Sequence, residues 1–237
     1  MPTPTEAAQR RRWAGVPAAD RRAERRTRLL DAGLDLLGTV GVAGTTVRGV
    51  CQEARLNPRY FYESFATLDD LAVAVYDRIV AELTAEVLAA LAEAGTGRRA
   101  RARAAVDCIV GFVDRDRRRA RVLYVEAVGS ATLSRRRAAT GRTLVEWVVR
   151  DRVGSPTGPH DPRAVLAAAV VVGGFNEALV AWLDGQIALD REQLVDDATA
   201  LFLGVEDTVA GMAAAGAAKT PGTRAAAAGA PEGERSR

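Results

Sequence analysis

Residues 45–65, TTVRGVCQEARLNPRYFYESF, hold two short amphipathic segments separated by a very short break, and this spacing constrains the fold more than any other stretch. Val47, Val50, Cys51 and Ala54 stand at i, i+3, i+4 and i+7, which places them on one helical face. Thr45 or Thr46 can cap that helix. A break at Arg55-Leu56 follows, and Asn57 caps a second short helix whose first residue is Pro58. A proline there begins the helix instead of breaking it, because its missing N–H would have no partner at that position anyway. Phe61 and Phe65, four apart, share a face with reach to Val47, Val50 and Leu56, so both are expected in the core. Arg59, Tyr60, Glu63 and Ser64 are left on the outward side, with Tyr62 between faces.

A longer helix over residues 21–40 precedes this pair, with Leu29, Gly33, Leu36, Leu37 and Val40 on one face. GVAGTT, residues 41–46, ends it with glycines suited to a C-terminal cap. A long helix followed by two short ones around a tight turn is the plan of a helix-turn-helix. The last of the three has an apolar back and a polar front whose N-terminal turn could enter a DNA major groove.

The rest of the chain has the same helical periodicity and little strict alternation, so the fold class is all-α. Helices are expected over 69–94, 99–114, 118–129, 134–152, 163–184 and 190–212, with a Gly/Pro loop at 153–162. Residues 163–184 are apolar on nearly every face, as in a buried helix. Leu194, Ala198, Leu201, Val205, Thr208 and Met212 form a narrow seam suited to packing against another helix. DRDRRRAR, residues 114–121, reads as a solvated helix junction, and residues 213–237 as a low-complexity, disordered tail.

Charge separates the two ends. Residues 1–30 hold eight arginines against Glu6, Asp20 and Glu24, an excess of five positive charges in a chain of net +3. A basic end on a slightly acidic body suggests a polyanion partner met at the N-terminus. Arginine outnumbers lysine 32 to 1, so the choice of Arg over Lys carries little weight. Cys51 and Cys108 form no CxxC, which argues against a disulfide framework or structural zinc. The basic N-terminus lacks the apolar run of a signal peptide, and the longest apolar stretch, AVLAAAVVVGGF at 164–175, is short for a bilayer. A cytoplasmic protein without membrane contact is expected. His160 is the only histidine and lies in the Gly/Pro loop. No Ser/His/Asp grouping, metal-ligand cluster or phosphate-cradling loop appears, so neither an enzyme nor a cofactor is expected.

TTVRGVCQEARLNPRYFYESFATLDDL, residues 45–71, resembles the helix-turn-helix of the TetR family of bacterial repressors, whose usual form is roughly TTVRDIAxxAGVSxGTLYxHFxSKExL. The matches are Thr46, Val47, Arg48, Val50, Ala54, Phe61 in place of Leu, Tyr62, Phe65 and Leu71. RTRLLDAGLDLLGTVGVAG, residues 26–44, is similar to the family's first helix and its exit. The resemblance implies an N-terminal three-helix DNA-binding domain over 20–68, behind a basic arm at 1–19. A C-terminal helical domain for effector binding and dimerisation would cover 69–212. Arg48 falls where the family's namesake contacts a base. Asn57, Pro58, Arg59, Tyr60, Glu63 and Ser64 lie on the helix that would read DNA, and Thr46 and Tyr62 fall at phosphate-contacting positions.

Three departures stand out. Leu68 replaces the lysine that opens the family's fourth helix, with Asp69 and Asp70 behind it; Arg55 replaces the turn glycine; and Glu63 sits on the reading helix. The first weakens generic phosphate affinity, and arginines 10–12 and 21–28 are expected to compensate along the DNA backbone or minor groove.

The resemblance further implies a homodimer through residues 163–184 and 190–212, with Gly173 and Gly174 permitting close approach. It also implies a small-molecule pocket in the body, for which Cys108, Phe112, Tyr124, Trp147, Phe175 and Asn176 are candidates. Asn176 is singled out because a polar amide on a buried helix needs a partner. The function implied is a ligand-responsive repressor on an inverted-repeat double-stranded DNA operator, released by a small-molecule effector. The alternative is a protein-interaction module that keeps the fold with impaired DNA binding.

Overall fold

The computed structural model describes residues 18–153 and 162–218. Arg10, Arg11 and Arg12 of the basic arm, the loop with His160, and the tail past 218 lie outside the described residues. Among the described residues every regular element is helical.

Helix α1 spans Ala18–Thr39 and buries Leu29, Ala32 and Leu37. Val40, expected on that face, is 52% exposed just past the helix end. Gly41 turns the chain at φ +78, where a side chain would be strained, and a single helical turn Gly41–Gly44 follows. Helix α2 is Val47–Glu53, and its cap is Thr46, which accepts the Gly49 N–H at 3.0 Å. Thr45 is buried and donates its hydroxyl to the Gly41 carbonyl at 2.6 Å. At the end of α2 the Leu56 N–H reaches the Cys51 carbonyl at 2.9 Å and the Arg55 N–H reaches that of Gln52 at 3.1 Å. This closing pattern needs a left-handed residue, and Arg55 supplies it at φ +53.

Helix α3 is Pro58–Tyr62, with Pro58 in its first turn and the Asn57 side chain accepting the Arg59 N–H at 3.0 Å. Phe61 and Phe65 are buried as expected. Helix α4 is Leu68–Glu93, opened by reciprocal bonds between Thr67 and Asp70 at 2.9 and 3.1 Å.

The body comprises α5 (Arg98–Arg115), α6 (Arg117–Ala120), α7 (Ala131–Val153), α8 (Pro162–Leu183) and α9 (Arg191–Ala218). Between α6 and α7 the chain runs through a π-helical turn, Arg121–Glu126, and a last turn, Ala127–Gly129, where one uninterrupted α-helix was expected. Helix α9 continues through residues 213–218, expected to be disordered. Alanine has the highest helix propensity, which favours this continuation. One core joins head to body, from Leu29, Val50 and Phe61 through Val75 and Ile79 to Phe112, Leu179 and Val195.

Two expectations about the body change. DRDRRRAR is no solvated junction. Arg118 pairs with Asp35 on α1, Arg119 lies 4.2 Å over the Phe112 ring, and Arg121 donates to the Thr39 carbonyl at 2.5 Å. Gly38 packs so closely here that an added Cβ would lie 2.8 Å from the Arg118 Cα.

Helix α8 buries only Ala164, Ala168, Phe175 and Leu179, and leaves Leu166 66% and Val170 58% exposed. By length and composition it could cross a membrane, because only Arg163, Asn176 and Glu177 interrupt 22 otherwise mostly apolar residues; only 22% of its most apolar window is buried. The α9 seam divides. Leu194 and Ala198 close the chain's own core, while Leu201 is 69% exposed.

Candidate nucleic-acid interface

The outward surface of α2 and α3 is built by capping at one end and by arginines at the other. Thr46, Arg48, Asn57, Pro58, Arg59 and Tyr62 are exposed, and Tyr60, Glu63 and Ser64 are half-buried. Arg48 has no hydrogen bond or ion pair among the described residues, so its guanidinium stands free on the face of α2. Tyr62 is 62% exposed while its ring meets the edge of Phe61 at 5.4 Å, which leaves the phenol end in solvent.

Four arginines of α1 hold this surface from behind. Arg22 donates to the Glu63 carbonyl at 2.7 Å, Arg26 to the Ser64 carbonyl at 3.0 Å, and Arg28 to the Ala54 carbonyl at 2.6 Å. These are carbonyls at or just beyond the ends of α2 and α3, where a positive charge complements the helix dipole. Arg25 lies 4.4 Å over the Tyr60 ring with its Nη2 3.6 Å from the Glu63 carboxylate, and Arg26 lies 4.3 Å over Phe65. Four of the α1 arginines expected along DNA thus also make contacts within the chain. Sequence reasoning missed this because their partners are backbone carbonyls, which no side-chain pattern reveals.

The departures also find places. Glu63 accepts from Arg59 Nε at 3.1 Å as well as facing Arg25, so its charge is matched. Asp70 caps α4, and Asp69 accepts from the Thr132 hydroxyl at 2.7 Å. Leu68 is half-buried against the core.

The six pocket candidates stand in different surroundings. Phe112 is fully buried beneath Arg119, and Phe175 packs edge-on against Phe202 at 5.2 Å in the α8–α9 contact. Cys108 is half-buried near the carboxylates of Glu86 and Asp107, and burial pushes its thiol up. Trp147 belongs to neither hydrophobic cluster. Asn176 is half-exposed, and α8 is not buried on all sides, so the argument for Asn176 falls. Tyr124 reaches inward, where burial pushes its phenol well up beside Tyr76 and Arg137. Tyr76 is 3% exposed; burial raises its phenol, opposed by a hydrogen bond with Thr140 and by Arg137. Tyr76, Thr140 and Arg137 were not singled out from the sequence, although a tyrosine among Val75, Ile79 and Ala72 on one helical face marks a buried hydroxyl.

This architecture recurs in solved structures. A TetR-family transcriptional regulator from Streptomyces coelicolor superposes with a TM-score of 0.64 at 19% identity, covering 80% of this chain and 83% of that one. A TetR-like regulator from Rhodococcus sp. RHA1 gives 0.60 at 22% identity over 76% and 93%. The chain has the TetR fold. The fatty acid degradation regulator FadR from Bacillus halodurans shares this TetR fold, with a TM-score of 0.62 at 16% identity over 76% and 94%. No family model matches the chain, and no curated protein matches its sequence.

Proposed function

We propose that this chain is a ligand-responsive transcriptional regulator, a repressor, that binds an inverted-repeat operator as a homodimer and is released by a small-molecule effector. The observation that carries the reading is the α2–α3 surface on a TetR fold: an Arg48 unpartnered among the described residues, with the exposed Asn57-Pro58-Arg59 turn. Arginine contacts guanine O6 and N7 bidentately, and Thr46 and Tyr62 offer hydroxyls to phosphates. Tyr60, Glu63 and Ser64, held by arginines of α1, border the reading surface. The alternative of an interaction module rested on Leu68 and the two aspartates, and each of the three has a structural role that leaves the reading surface intact.

The exposed face of α8 supports dimerisation through residues 163–184 and 190–212. Leu166, Val170 and Leu201 are open, and a Cβ at Gly173 or Gly174 would meet nothing within 4 Å, which leaves room for a partner helix. Burying such a face in a second copy removes apolar surface from water. The polar group of Tyr76, Tyr124, Thr140 and Arg137 in the body supports an effector site there.

Selection of bound DNA from a random pool by the purified chain tests the reading. An enriched inverted repeat is expected, with Arg48→Ala weakening binding by about 1–3 kcal/mol. Weak, salt-sensitive binding without enrichment would refute it. Leu166→Glu is expected to turn a dimer into a monomer in analytical ultracentrifugation.

A further inference from the structure

Arg121 and Glu126 form a salt bridge, Nε to Oε1, at 2.9 Å. The two residues are five apart. In an α-helix such a pair stands about 140° apart around the axis and does not share a face. Here they are the first and last residues of the π turn, whose i→i+5 hydrogen bonding stacks one above the other. The pair therefore depends on the π geometry.

Both residues reach the same place in the head. Arg121 Nη1 donates to the Thr39 carbonyl at 2.5 Å, and Glu126 Oε2 accepts the Val42 N–H at 2.8 Å. These bonds bracket Gly41, the positive-φ residue between α1 and α2. A Cβ at Gly41 would lie 2.7 Å from Glu126 Oε1 and 3.0 Å from Arg121 Nη2, so the clasp closes onto bare backbone. The same turn sends Val122 and Leu123 into the core and Tyr124 into the body interior beside Tyr76 and Arg137. One turn of helix thus touches the joint of the head on one side and the inside of the body on the other.

We propose that this π turn is a two-state device that clasps the head. In its π form Arg121 and Glu126 together hold Thr39 and Val42. When the turn relaxes to α, the residues part, Glu126 leaves Val42, and the α1–α2 joint is free. A π turn is rarer than the α form and persists where side-chain contacts favour it, which the clasp supplies. Any ligand that contacts Tyr124 differently in the two forms shifts the balance. What the open form does to operator binding rests on the regulator reading above; the clasp itself does not.

Amide hydrogen exchange of the full chain, followed by NMR, tests the clasp without DNA. The probe is Val42, with Val50, bonded to the Thr46 carbonyl inside α2, as reference. Arg121→Ala leaves Glu126, the direct acceptor, in place. Glu126→Ala removes the acceptor itself and gives the exchange of an open clasp. In both variants exchange at Val42 is expected to rise about tenfold or more while Val50 is unchanged. Val42 staying protected in Arg121→Ala overturns the proposal, as does equal loss at Val42 and Val50. If Glu126→Ala does not fold, Arg121→Ala decides alone. On an operator, Arg121→Ala is expected to lose about tenfold in affinity for the full inverted repeat and little for one half-site. A parent chain that selects no operator, with the exchange result intact, would sink the regulator reading and leave the clasp standing.

Discussion

Arg28 on α1 donates to the Ala54 carbonyl at 2.6 Å, one residue before the left-handed turn at Arg55. A charged donor thus holds the end of α2 where the backbone is least comfortable. Arg28→Ala removes a hydrogen bond of charge to carbonyl in a partly exposed setting, and is expected to lower stability by about 1 kcal/mol. Urea denaturation monitored by circular dichroism checks this. Loss of operator affinity without loss of stability would mean that Arg28 touches DNA instead.

Arg55 holds φ +53 without the freedom of glycine. Arg55→Gly is expected to stabilise the chain by about 1 kcal/mol, the steric penalty of that region offset in part by glycine's larger unfolded-state entropy. Arg55→Val should do the reverse. An unchanged melting temperature for both would show that the turn stores no strain.

Leu68→Lys exchanges a half-buried apolar contact for a cation at the start of α4. The expected outcome is a loss of about 1 kcal/mol of stability. On the selected operator, the log–log salt slope should steepen by about one. A slope identical to the parent would place α4 away from the DNA backbone.

Burial pushes Tyr76 and Tyr124 above the ordinary tyrosine value of 10.0. A raised pKa in the folded state means that folding holds the proton more tightly. The contribution is therefore complete below pH 10 and is lost as pH rises through the folded values. Ultraviolet titration is expected to show part of the tyrosine signal ionising only as the chain unfolds in alkali. Tyr124→Phe should flatten the loss of stability above that pH.

The head was legible where its logic is local. Asn57 and Pro58 define the start of α3 within two residues, and Thr46 caps α2 from the adjacent position. Phe61 and Phe65 meet at 5.8 Å because helical spacing puts them together. The partners of the α1 arginines were not legible for the opposite reason. Arg22 finds Glu63 across 41 residues, a contact that exists only once α1 and α3 have packed. The π turn was hidden in a stretch that reads as ordinary helix, and its bonds to Thr39 and Val42 cross 82 and 84 residues.

By itself, then, the chain's amino-acid order determined its helices, their caps and the apolar faces that must be hidden, because these depend on neighbours within a turn or two. Tertiary packing decided which charges are clamps and which are free. It bound Arg118 and Arg121 to α1, left Arg48 without a partner among the described residues, and left Leu166, Val170 and Leu201 in the open. Charge and hydrophobicity are properties of a residue, whereas partnership depends on the position and orientation of distant elements.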